Sequence, residues 1–320
     1  MTNKEKNLQL LTDVIRRKHY SLATERTYCL WFAKFWDFAL TLPKELSREK
    51  KLEEFLTAEA KRGCAASTQN QAFNAVVFFF KECLGQPLGE VKALRAKRPE
   101  QLRFAPSRED VRGIINNVKD VNGYPTVFLT RLLYGCGLRV KEPLNLRIRD
   151  VDLDRSRITI REGKGKKDRV VSLPCSLIEP FRQQIRLARA MWEKDRAAGL
   201  PCKLPGLLGK KYPGYETAWQ WYFVFHQHVP CVDPRDNRLV RWHMHEANLQ
   251  RAVKAAAAVV GIVGVTPHHL RHAYATHALE MGQSPRAIQL AMGHAYLDTT
   301  MGYLHSDALA VRSPLELLPA

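Results

Sequence analysis

Pro267-His268-His269-Leu270-Arg271-His272, then Met292-Gly293-His294, then Tyr303: these pieces of the last fifth of the chain decide how the rest is read. They set a histidine and an arginine three residues apart, a second histidine after a glycine, and a tyrosine nine residues beyond it. A guanidinium is a fixed fork of donors that fits two phosphate oxygens. Imidazoles take up and release protons near neutral pH. A tyrosine hydroxyl becomes a covalent nucleophile once a base and positive charge help it ionise. One His-x-x-Arg arises by chance on any helix. The ordered series in one basic chain points to groups that hold and attack a phosphodiester.

Two upstream stretches extend the series. Gly137-Leu138-Arg139 is a glycine turn opening a helix whose first turn holds Glu142 and Pro143, so Arg139 is placed to meet a phosphate. Gly163-Lys164-Gly165 is a tight turn between two alternating stretches, Arg157 to Arg161 and Arg169 to Leu173, which predict a β-hairpin. Lys164 at its tip could protonate a leaving oxygen, or with Lys166 and Lys167 touch phosphates.

The chain has 320 residues, which suggests two domains, and a formal charge of +18, which favours a polyanionic partner. Its seven cysteines are scattered, with no Cys-x-x-Cys, arguing for a reducing cytoplasm and against a disulfide framework or zinc ribbon. His226/His228 and His243/His245 lack a carboxylate or cysteine at ligand spacing, so no metal is expected. The apolar run at 255–262 is too short for a membrane span, and the N-terminus lacks a signal core.

Helical spacing predicts four helices in residues 1–90. Leu8, Leu11 and Ile15 mark the first; Thr24 to Ala39, rich in aromatics, forms the second. Leu52 to Ala60 forms the third, and Ser67 is expected to cap the fourth, which ends at Gly85. Residues 91–106 are basic and proline-punctuated, a linker whose Arg95, Lys97, Arg98 and Arg103 are candidate phosphate contacts. Ser107, with Glu109 and Asp110 behind it, caps the first helix of a second, mixed domain over 107–320. Further helices are expected at 176–197, 246–260, 268–281, 284–292 and 299–305, with His269 and His272 turned away from the chemistry.

The ordered set Arg139, Lys164, His268, Arg271, His294 and Tyr303 resembles the tyrosine recombinases of the lambda-integrase type, over essentially the whole chain. Within them the chain looks most like an integron integrase, because of a segment at about 205–243 with Lys211-Tyr212-Pro213, Trp219-Gln220-Trp221, Val232-Asp233-Pro234-Arg235 and Arg241-Trp242-His243. The resemblance implies a mainly α fold with a small antiparallel sheet: a helical, SAM-like core-binding domain and a catalytic domain, closing as a C-shaped clamp. It implies cleavage by Tyr303 through a 3′-phosphotyrosyl link, with Arg139 and Arg271 on the nonbridging oxygens, Lys164 as acid and His268 as base, and His294 adding a phosphate hydrogen bond. No cofactor is implied. The partners would be a double-stranded attachment site and a folded single-stranded cassette site, bound by a homotetramer in a bacterial cytoplasm, with no membrane. A tail from Ala308 to Leu318 would dock on the next protomer. Aromatics mixed with cations suit unpaired bases, so Trp221, Trp242 and His243, with Arg241, are the expected base contacts, and Arg169 joins the hairpin lysines on phosphates. The alternatives are a double-strand recombinase of phage-integrase or chromosome-resolution type and a non-catalytic DNA-binding protein.

Overall fold

A computed structural model describes residues 1–91, 104–161 and 168–293. Arg95, Lys97, Arg98, Arg103, Lys164, Lys166, Lys167, His294, Tyr303 and the tail from Ala308 lie outside the described residues. The chain divides into two compact units, Met1–Gln101 and Leu102–Ala320. Within the described residues the fold is mainly helical with small antiparallel sheets, as the sequence implies.

The first unit packs helices α1 (Asn3–Arg17), α2 (Leu22–Leu40), α3 (Arg48–Lys61) and α4 (Ala66–Phe78). Thr2, Ser21 and Ser47 each accept a backbone N–H of the first turn, so three of the starts are written in the sequence. The fourth start differs from expectation: Ala65 stands at the cap and Ser67 lies inside the helix. A π-helical turn, Phe79–Cys83, continues α4, and the helical run stops at Leu84 and the left-handed Gly85, where its end was expected. That turn holds one residue more than an α turn, and Phe78, Phe79 and Phe80 all become buried. They meet Leu11, Ile15, Phe32, Phe35, Leu52 and Phe55 in one core.

The second unit begins with α5 (Arg108–Asn117), where Ser107 and Asp110 form a reciprocal capping box. Helix α6 (Thr126–Cys136) is buried along most of its length and stops at Gly137, whose φ of 60° is left-handed. A Cβ at 137 would lie 2.4 Å from the Tyr274 ring, so both backbone and packing require glycine. The short α7 (Lys141–Leu144) follows, carrying Glu142. Strands β1 (Val151–Asp152), β2 (Arg157–Ile160) and β3 (Arg169–Ser172) form one antiparallel sheet in the order β1-β2-β3, with Ile158 opposite Val171. The expected hairpin thus gains a third strand.

Helix α8 (Ile178–Ala197) leads to the segment at about 205–243, which holds the single-turn α9 (Leu208–Lys211) and a two-residue ribbon, β4 (Cys231–Val232) on β5 (Leu239–Val240). The unit ends, within the described residues, with α10 (Glu246–Val259), α11 (Pro267–Glu280) and α12 (Pro285–Met292). Leu129, Leu132, Leu133, Ile158, Phe181, Leu249, Val253 and Leu270 meet in its core. Among the described residues no helix is long and apolar enough to cross a membrane.

Candidate active site

Three arginines from three elements converge on the C-terminus of α12. Arg169 Nε donates to the Ala291 carbonyl at 2.7 Å, Arg271 Nη2 to Met292 at 2.6 Å and Arg139 Nη2 to Gly293 at 3.1 Å. The last carbonyls of a helix lack intrahelical partners and carry its negative pole, so guanidiniums are attracted there. Gly293, left-handed at φ 64°, ends the helix.

Glu142 ties the arginines together. Its carboxylate accepts from the Arg139 backbone N–H at 2.8 Å and Arg139 Nη1 at 2.8 Å. Both its oxygens accept from Arg169, at 2.6 and 3.0 Å, and Arg271 Nη1 stands 3.8 Å away. Burial pushes the Glu142 carboxyl up, but the Arg169 hydrogen bond and charge, helped by Arg139, outweigh it and hold the carboxyl below the ordinary range. Among the described residues, three guanidiniums thus gather around one carboxylate. Arg139 retains 26% side-chain exposure, whereas Arg271, at 1%, is held inside by the Gly137 carbonyl at 2.5 Å. Arg139 is therefore the open arm of the pair and Arg271 the fixed one.

His268 is exposed on the first turn of α11, one helical turn before Arg271. His272, expected to point elsewhere, sets its ring 4.3 Å from the His268 ring, edge to face. The i, i+4 spacing brings them onto one face. His269 is used locally, with Nδ1 2.9 Å from Thr266 Oγ1 at the start of the helix. Other nucleophiles near the arginines are disfavoured. Burial pushes the Cys136 thiol up to about 12, and burial also raises the Tyr274 hydroxyl.

Three expected DNA contacts belong to the protein interior. Arg169, expected on phosphate, has 10% side-chain exposure and is committed to Glu142 and Ala291. Arg241, 3% exposed, forms a two-point ion pair with Asp195, at 2.6 and 2.7 Å, and also donates to the carbonyls of Gln227 and His228. Tyr222 Oη donates to the same Asp195 at 2.6 Å. Trp221, expected on a base, is 8% exposed; Tyr215 stacks on it at 5.3 Å and the Arg149 guanidinium lies 4.2 Å over it. Trp219 packs on Trp192 and Tyr222, so both tryptophans of that pair anchor the segment. Trp242 and His243 remain half-buried, and burial lowers the His243 pKa. Arg147, which sequence reasoning passed over, is buried beneath the segment and donates to the carbonyls of Trp221 at 2.5 Å and Lys203 at 2.8 Å. A lone arginine in a basic chain gives no sequence signal for such a role. The roles of Arg139 and Glu142, by contrast, follow their three-residue spacing.

Comparison with known proteins agrees with this geometry. The sequence profile of the "Phage integrase family" matches residues 107–309, and that of "Phage integrase, N-terminal SAM-like domain" matches 8–90. An "Integrase/recombinase" of Escherichia coli is 38% identical over 98% of this chain and 94% of its own length, as is one of Pseudomonas aeruginosa. "Tyrosine recombinase XerA" of Thermococcus kodakarensis is 32% identical over 78% of this chain and 74% of its own length. The fold is similar to a lambda integrase dimer bound to a core site, at 13% identity and TM-score 0.62 over 97% of this chain and 98% of that one. It is also similar to XerH recombinase bound to its difH substrate, at 21% identity and TM-score 0.60 over 94% and 82%. The arginine cluster, the two matched domains and the identity along nearly the full length converge on one conclusion: the chain belongs to the phage integrase family and is a tyrosine recombinase.

Proposed function

We propose that this enzyme breaks and rejoins DNA at specific double-stranded sites, in the manner of phage integrases and chromosome-resolution recombinases, in a bacterial cytoplasm. The observation that carries the reading is the cluster of Arg139, Arg169 and Arg271 around one carboxylate at the end of one helix. A phosphodiester passing through a five-coordinate transition state gathers negative charge on its nonbridging oxygens. Fixed guanidiniums aimed at that charge lower the barrier without reorganising. Tyr303 Oη attacks phosphorus and its proton goes to His268. The 5′-oxygen leaves with a proton from Lys164, while His294 hydrogen-bonds the phosphate. A partner strand's 5′-hydroxyl reverses the step, so the bond energy is conserved and no nucleotide is consumed. The likeness to recombinases bound to a core site and to a difH substrate supports a specific DNA site as the substrate. The inward packing of Trp221 and Arg241 supports a duplex one.

A nicked duplex, selected from a randomised library by covalent capture, tests the chemistry. Tyr303→Phe is expected to bind it as the wild type does and form no covalent adduct. An adduct from the Phe variant would end the assignment.

A second reading keeps one observation in its favour: gene-cassette recombination on folded single strands, as an integron integrase performs it in horizontal gene transfer. In the segment at about 205–243, Tyr212 is exposed, stacked on Tyr215 at 4.9 Å with Lys211 at 5.3 Å, while Trp242 and His243 stay half-buried. Such rings can take extruded bases. Preference for a hairpin with unpaired bases over its fully paired form, lost in Trp242→Ala, would favour this reading over the first. In either case assembly as a homotetramer on two sites would use the tail from Ala308 as the exchanged element. Truncation after His305 that leaves recombination unchanged would exclude that exchange.

A further inference from the structure

We propose that Arg169 is a positioning residue for the phosphate clamp, setting the spacing of Arg139 and Arg271 and the share of the Glu142 charge that falls on them. The inference rests on those two arginines holding the scissile phosphate. Arg169 reaches the site from the first residue of β3. Its donors are spent inside the protein: Nε on the Ala291 carbonyl, Nη1 and Nη2 on the two oxygens of Glu142. Its charge is met by both oxygens of the Glu142 carboxylate, whereas Arg271 hydrogen-bonds carbonyls and stands 3.8 Å from that carboxylate. Arg169 joins two groups that both clamp arginines also touch, the Glu142 carboxylate and the end of α12.

Two consequences follow. Arg169 fixes the carboxylate that fixes Arg139, and it fixes the helix end on which Arg139 and Arg271 both rest. It also absorbs much of the Glu142 charge. Without it, the carboxylate would fall on Arg139 and Arg271 alone and compete with the phosphate for their donors. Gly293 is part of the same fitting. A Cβ there would lie 3.1 to 3.3 Å from Arg169 Cδ, Nη1 and Nε, so a side chain at 293 would require the guanidinium to give by a few tenths of an ångström. Lysine cannot replace the fork, because a point charge meets neither the two carboxylate oxygens nor the carbonyl together.

The experiment compares wild type, Arg169→Ala, Arg169→Lys, Arg139→Ala and Arg271→Ala on the captured duplex, with either a natural scissile phosphate or a methylphosphonate lacking one charged oxygen. The Arg169 variants should bind with unchanged affinity and salt slope. Their single-turnover cleavage of the phosphate at saturating DNA should fall on the order of 10–100-fold, Lys less than Ala. The deficit should shrink on the methylphosphonate, where less charge develops. Loss of affinity with a salt slope shallower by about one would make Arg169 a phosphate contact and overturn the proposal. So would wild-type cleavage, or an equal deficit on both substrates, which a smaller folded fraction would give. Should the Ala variant fail to fold, the Lys variant carries the same comparisons. Wild-type cleavage by Arg139→Ala and Arg271→Ala would instead sink the clamp reading beneath it.

Discussion

Glu142 faces three guanidiniums with one negative charge, and its protonation state is therefore tied to the fold. Its pKa is depressed in the folded state, so its contribution to stability is present above the unfolded carboxylate value of about 4.3 and lost as pH falls through the folded value. Denaturant unfolding of the catalytic unit should show stability falling below about pH 4, and Glu142→Gln should flatten that fall. At neutral pH the same variant should be less stable by about 3–5 kcal/mol, because buried cations lose their counterion. Identical pH slopes for the two proteins would remove Glu142 from this role. The residue's place was legible, since the three-residue spacing from Arg139 brings the two groups onto one turn. The commitment of Arg169 was not. An arginine on a hairpin beside three lysines reads as a phosphate contact until Glu142 and Ala291 are seen to take its donors.

Elements show the same division between local rule and distant neighbour. The start at Ser107 followed from capping chemistry, and Thr2, Ser21 and Ser47 obey the same rule, whereas the π turn after α4 has no such mark and buries three consecutive phenylalanines. Gly137 closes α6 in a left-handed turn, a local rule, yet the ring of Tyr274 packed against it comes from α11. Gly137→Ala should destabilise by more than the ~1 kcal/mol of backbone cost, since the ring must also move, and should slow cleavage by shifting the Arg139 turn. Thermal melting together with single-turnover rates checks both; a wild-type melting point would contradict the packing. The segment at about 205–243 hangs on α8 through Asp195 and Arg241, with side-chain exposures of 6% and 4%. Asp195→Ala leaves a buried guanidinium uncompensated and should cost about 3–5 kcal/mol in urea unfolding. A loss below 1 kcal/mol would mean the anchor is the tryptophan packing instead.

At the scale of the molecule, a formal charge of +18 drives association with DNA whatever the site's bases. The structure narrows which cations serve. Arg169 and Arg241 are occupied internally, leaving Arg95, Lys97, Arg98, Arg103, Lys166 and Lys167 as the proposed phosphate contacts. Neutralising six phosphates gives a log–log slope of affinity against salt of about −5 on duplex. A flat response would remove the basic clamp, and a slope unchanged in Arg241→Lys would agree with its internal role. The sequence by itself determined the reaction class, the two-domain order and the helical frame. These rest on residue chemistry, short spacings and periodicities that a chain carries wherever it folds. Tertiary structure alone decided which charges face each other inside the protein. A guanidinium on a strand, a carboxylate on a helix and a helix end more than a hundred residues away share no local pattern. Their pairing is set by which groups lose water together when the core closes.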